Sequence, residues 1–144
     1  METLSNARNK KGLAQILLFL KHAKKIEGKT KFQKMMFLAQ KENKLSKEFE
    51  FIKYNYGPYS FELTKDIDAL EKEGFLTIEK EEFATDNEFS GKRFLFQLTK
   101  KGEKFVKDNK NNFEADSKVI NGTVKKWNKK PMNDIIRYVY SKYM

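Results

Sequence analysis

Three carboxylates, Glu62, Asp66 and Glu73, are spaced to share one face of a helix, an arrangement that could do acid–base work if a complementary group faced it. The sequence supplies no such group. His22 is the only histidine and there is no cysteine, which excludes disulfides, thiolate nucleophiles and thiolate metal sites and leaves the imidazole without a second ligand. Glycine-rich phosphate loops, nucleophile elbows and metal-ligand spacings are missing as well. The chain therefore reads as a non-enzyme with neither metal nor cofactor. Its carboxylates read as a solvated face or as one that meets a basic partner.

Two other groups could recognise a partner. Lys29, Lys31 and Lys34 crowd the entrance of a predicted helix, where a phosphate could also meet free N–H groups and the positive dipole end; a solvated lysine face is the plainer reading. Tyr54, Tyr56 and Tyr59 gather around Gly57-Pro58, where the chain must turn. Such a cluster either packs around the turn or forms a binding hot spot, since tyrosine combines apolar area with a hydroxyl.

The elements that position these residues can be read from periodicity. Leu13, Ile16, Leu17, Leu20 and Ala23 predict a first helix over about Lys10 to Lys25, with Gly28 ending the segment. Thr30 and Gln33 have capping-box spacing and open a second helix with Phe32, Met35, Met36 and Ala39 inward. Phe49 to Tyr54 alternates as a short strand expected to pair with a later wing. Pro58 suits the first turn of a third helix, Leu63, Ile67 and Leu70 give it one buried stripe, and Gly74 suits its left-handed stop. Strands are expected at 75–78 and 93–98 with a polar tip between, then a helix capped by Thr99 in which Gly102 allows close backbone approach. Two further stripes follow, Phe113 to Trp127 and Met132 to Tyr143, which either pack on the core or form a homodimer interface.

The expected class is thus mainly α with a small antiparallel β wing (α+β): a winged helix-turn-helix with additional C-terminal helices. One domain spans 1–144, its core about 10–110 and a helical extension about 111–144. The longest apolar run, Ile16 to Leu20, is far short of the roughly 20 residues that span a bilayer, so a cytoplasmic protein without membrane contact is expected.

The net charge of +10 is unevenly spread. Residues 1–57 carry thirteen basic and five acidic side chains (+8), residues 58–99 five and ten (−5), and residues 100–144 twelve and five (+7). Only Arg8, Arg93 and Arg137 are arginine, a bias that a low-GC genome produces by itself. The acidic segment is the one that would enter a DNA groove in a winged helix, which opposes phosphate binding there.

The segments Lys31-Phe32-Gln33-Lys34-Met35-Met36-Phe37-Leu38-Ala39, Tyr56-Gly57-Pro58-Tyr59-Ser60 with Glu62-Leu63 and Asp66-Ile67, and Leu98-Thr99-Lys100-Lys101-Gly102 together resemble the YwgA-like proteins of bacteria and archaea. They are also similar to the SocA-like antitoxin (Panacea-related) domain, and Ile136 to Tyr143 resembles the ending of these proteins. The likeness covers most of residues 28–102 and the last helix, with Phe32 where Leu is usual and Met144 where Pro is usual. It implies a winged-helix-like domain, and SocA-like relatives act by binding a toxin or delivering a partner for degradation.

Two functions are expected. As a double-stranded-DNA-binding transcriptional regulator, the chain would use Lys29, Lys31, Lys34, Tyr59, Ser60, Thr64, Lys65, Lys92 and Arg93. As an adaptor or antitoxin-like module, it would present Tyr54, Tyr56, Tyr59, Glu62 and Asp66 to a protein partner.

Overall fold

In a computed structural model, which describes residues 10–55, 57–84 and 90–144, helix α1 (Lys10–Ala23) forms the centre of the fold. Every residue from Gly12 to Leu20 is buried, so the expected one-sided stripe is a helix covered all round. A two-residue strand β1 (Ile26–Glu27) follows, then α2 (Lys29–Glu42). The expected capping box does not form. Helix α2 starts at Lys29 behind Gly28, whose φ of 104° favours glycine, and no side chain caps it, because Gln33 bonds elsewhere.

Strands β2 (Ile52–Tyr54) and β3 (Gly57–Tyr59) pair with each other as a separate antiparallel hairpin. The expected pairing of this segment with the wing is therefore corrected: closing a tight local turn loses less chain entropy than reaching a strand twenty residues on. Pro58 is also relocated, lying in β3 opposite Lys53 rather than in the first helical turn. Helix α3 (Phe61–Lys72) begins instead at Ser60, whose Oγ accepts from the Leu63 N–H at 3.1 Å. Leu63, Ile67 and Leu70 are buried as expected, and Gly74 ends the helix at φ 85°.

Strands β4 (Leu76–Ala84) and β5 (Ser90–Leu98) are longer than the sequence suggested, running in register from Leu76–Leu98 to Ala84–Ser90. Strand β1 adds to the far side of β5, giving the order β1-β5-β4. Helix α4 (Lys100–Asp108) is capped by Thr99, and Gly102 is required because a Cβ there would run into the Phe75 carbonyl. After a 3-10 turn (Lys110–Phe113), α5 (Glu114–Trp127) packs across α1 and α2. Helix α6 (Met132–Tyr143) packs on α2 and β3. Ile120, Val124, Trp127, Ile135 and Val139 of the last two stripes are buried in the same core as Phe19, Phe32 and Phe96. The class is mainly α with a small antiparallel sheet, and among the described residues no helix is long and apolar enough to cross a membrane.

Candidate functional site

Three buried polar side chains on α2 hold the chain segment 49–60 in place. The Gln33 amide accepts from the Ser60 N–H (2.8 Å) and donates to the Ser60 carbonyl (3.0 Å), reaching Thr64 Oγ1 as well (3.0 Å). Lys34 donates its ammonium to the Pro58 carbonyl at 3.0 Å. About two turns on, Gln40 makes the same reciprocal pair with the backbone of Phe49. These bonds pair backbone groups of the segment, with the Ser60 carbonyl also accepting from the Thr64 N–H at 3.3 Å. Tyr140 of α6 closes the other side, its hydroxyl facing the Asn55 carbonyl at 3.4 Å.

Fastened this way, the hairpin and the start of α3 push apolar side chains outward. Ile52, Tyr54 and Phe61 are each about half exposed, at 50%, 47% and 51%. Tyr54, Tyr59 and Phe61 form a mutual ring cluster with centroids 4.8–5.3 Å apart, and the Tyr59 hydroxyl pairs with Thr64 Oγ1 at 2.7 Å. Rings that stack on one another and remain exposed are pre-arranged contact area. Next to Phe61, Glu62 borders a groove of about 560 Å³ with Phe37, Phe51, Glu50, Lys41 and Lys47. The outer surface of α3 is acidic: Glu62, Asp68, Glu71 and Glu73 outnumber Lys65 and Lys72 among its exposed side chains.

Of the residues expected on DNA, Tyr59, Ser60 and Thr64 lie together and Lys29 borders one small hollow with Thr64, while several of the others are buried or engaged. Lys34 is 2% exposed, and burial pushes its pKa down to about 8. Lys31 donates to the Asn128 carbonyl at 2.8 Å, with burial lowering its pKa against the raising effect of Glu27. Arg93 bridges Glu27 at 2.8 Å and Glu81 at 3.0 Å. Ser60 is wholly buried, and Thr64 is engaged by Gln33 and Tyr59. Lys29 lies over the Phe94 ring at 4.3 Å, while Lys65 is exposed. Lys92 is placed by its backbone alone, opposite Glu82.

Of the residues expected on a protein partner, Tyr54, Tyr59 and Glu62 lie at one surface, with Glu62 accepting from the Glu50 N–H at 3.1 Å. Tyr56 lies outside the described residues. Asp66 is only 8% exposed, since it sits beside the buried stripe of Leu63, Ile67 and Leu70; Asp68 takes its place at the surface. Ile52 and Phe61 were missed. Their signal was an apolar residue at a strand position facing away from the core, and one directly after a helix cap.

Behind the patch, Tyr138 and Tyr143 of α6 donate to Glu42 Oε2 at 2.6 and 2.7 Å, and Lys142 reaches it at 3.1 Å. Burial pushes the Glu42 carboxyl up, but these hydrogen bonds and the Lys142 charge outweigh it and hold the carboxyl below its ordinary value. Among the described residues no group of three or more His, Asp or Glu converges as a metal site. No family model matches the chain, and no curated protein matches it.

Proposed function

We propose that this chain is a winged-helix protein-interaction module of the adaptor or antitoxin-like kind, which docks a protein partner on the β2–β3 hairpin and the start of α3. The element order and the sheet order β1-β5-β4 support the winged-helix reading, with α3 at the recognition-helix position and β4–β5 as the wing. The observation that carries the function is the Tyr54–Tyr59–Phe61 cluster, with Tyr54 and Phe61 exposed on a half-buried Tyr59, beside the mainly acidic exposed side chains of α3. It fits a partner presenting an apolar pocket bordered by Lys or Arg. The resemblance to SocA-like domains supports the same reading, because its most specific part, Gly57 to Ser60, is clamped by the segment Lys31 to Ala39: Gln33 and Lys34 bond Ser60 and Pro58.

Photo-crosslinking from position 61, compared with position 104 on the far-side helix α4, tests this. A discrete adduct from 61 alone, with the purified partner binding Phe61→Asp at least tenfold more weakly than wild type, is expected. Equal yields from both positions, or full binding by the variant, would sink it.

DNA binding is the second reading, favoured by the net charge of +10. It calls for micromolar affinity for a mixed-sequence duplex at about 50 mM salt, falling on the order of a hundredfold by about 200 mM. Loss of that binding in Lys29→Glu and Lys65→Glu would move α3 to the nucleic-acid role.

A further inference from the structure

On the far side of α1 from the hairpin, a cavity of about 640 Å³ opens between α1, the end of β5, α4, the 3-10 turn and α5. That volume is in the range that holds small ligands. Its floor is apolar: Ala14, Leu18, Phe105 and Val106 are nearly fully buried, with Leu98 and Phe113 at the sides. Its rim is cationic. Lys21, Lys24, Lys107, Lys110 and Lys118 all line the opening and all are exposed, against two acidic residues, Glu103 and Glu114. Among the described residues none of these five lysines forms a salt bridge, although Lys104, Lys142 and Arg93 elsewhere do. One wall is polar and fixed, with His22 Nε2 at 2.8 Å from Ser117 Oγ and Asn121 alongside.

We propose that this cavity binds a small amphipathic organic anion, an apolar body carrying one carboxylate or phosphate. The apolar floor offers no hydrogen bonds, so a polar metabolite would lose its hydration there without replacement. The lysine rim repels cations and leaves a neutral ligand's share of the attraction unused. An apolar tail on the floor with its head among the lysines satisfies both, and the His22–Ser117 pair gives the head a directional contact. Burial and the neighbouring charges of Lys21 and Lys125 lower the His22 pKa, and an anion beside it would raise that value.

His22 is the sole histidine, which makes its ring resonances a direct reporter. The test is an NMR titration of the full chain with octanoate, octyl phosphate, octanol and inorganic phosphate, following the His22 ring signals and their pH midpoint. Octanoate or octyl phosphate should shift the signals saturably, with a Kd on the order of 0.1 mM for a ligand of this size, and raise the midpoint. The stronger of the two identifies the preferred head group. Octanol and inorganic phosphate should bind at least tenfold more weakly. Lys107→Glu with Lys110→Glu should weaken the anion about tenfold through exposed positions, and Asn121→Trp should block it by filling the cavity. Equal binding of octanol, equal binding of inorganic phosphate, or no response to any of the four would overturn the proposal. So would a short DNA duplex that shifts His22 more strongly than either amphiphile, since the rim would then serve nucleic acid.

Discussion

The hairpin side and the cavity side of this molecule combine aromatic rings with charge in opposite ways. At the hairpin, Tyr54, Tyr59 and Phe61 stand outward beside an acidic helix face, held from beneath by Gln33, Lys34 and Gln40. At the cavity, aliphatic side chains and the Phe105 ring form the floor and lysines the rim, and α4, which supplies Phe105 and Val106, is seated by the close approach of Gly102 to the Phe75 backbone. Directional hydrogen bonds suit a surface whose backbone must be presented in one shape; apolar packing suits a hollow that must stay open and dry. The comparison also separates two questions that the net charge merges. The five lysines at the cavity rim lie neither on α3 nor on the β4–β5 hairpin.

Substitutions can break each side in turn, and the largest effect should come from the packed side. Gly102→Ala forces a Cβ into the Phe75 carbonyl, so a loss of about 4 kcal/mol or more is expected in urea unfolding, a cost reserved for backbone clashes of this kind.

On the hydrogen-bonded side, Lys34 makes stability depend on pH. Its folded-state pKa of about 8 lies below its ordinary 10.5, so the unfolded chain binds the extra proton between those values and stability rises with pH across that window. Wild type should gain up to about 3 kcal/mol relative to Lys34→Met from pH 8 to 10.5, because the variant has nothing there to titrate.

Gln33→Ala leaves the buried Ser60 N–H without its partner, while the Ser60 carbonyl keeps the Thr64 N–H, and should cost about 2 kcal/mol, with faster amide exchange confined to residues 57–64. Glu42→Gln should cost about 1.5 kcal/mol near neutral pH. Because the Glu42 carboxyl is held below its ordinary value of 4.5, its contribution is present above that value and lost as pH falls through the lower folded one; the variant should show less acid sensitivity there. Phe61→Asp should change stability least, within about 0.5 kcal/mol, since the ring is half exposed.

Much of the frame was legible in the sequence. Leu63, Ile67 and Leu70, the Gly74 stop, and the Thr99 cap on the Gly102 N–H all depend on neighbours within a few residues, where periodicity and capping carry the signal. What escaped depends on distant partners. Gln33 looked like half of a capping box with Thr30, but its partner is Ser60, and Lys34 looked like a surface cation because its acceptor lies at Pro58. Periodicity tells which face of a helix points inward; it does not tell what waits there. Asp66 lies three residues after Leu63 and four before Leu70, on the buried face itself, where its polar type rather than its position suggested exposure; Phe61 lies off that face and is half exposed. The cavity had no sequence signature because its five lysines come from three separate stretches of chain.

The most direct test is one affinity series with the partner captured at position 61, measured for wild type, for Phe61→Asp, and for the Lys107→Glu, Lys110→Glu double variant. A loss on the order of thirtyfold in Phe61→Asp with wild-type binding by the lysine variant is predicted, the size of a typical aromatic hot spot. Wild-type affinity in Phe61→Asp with loss in the lysine variant would contradict the assignment and move the docking surface to the cavity side.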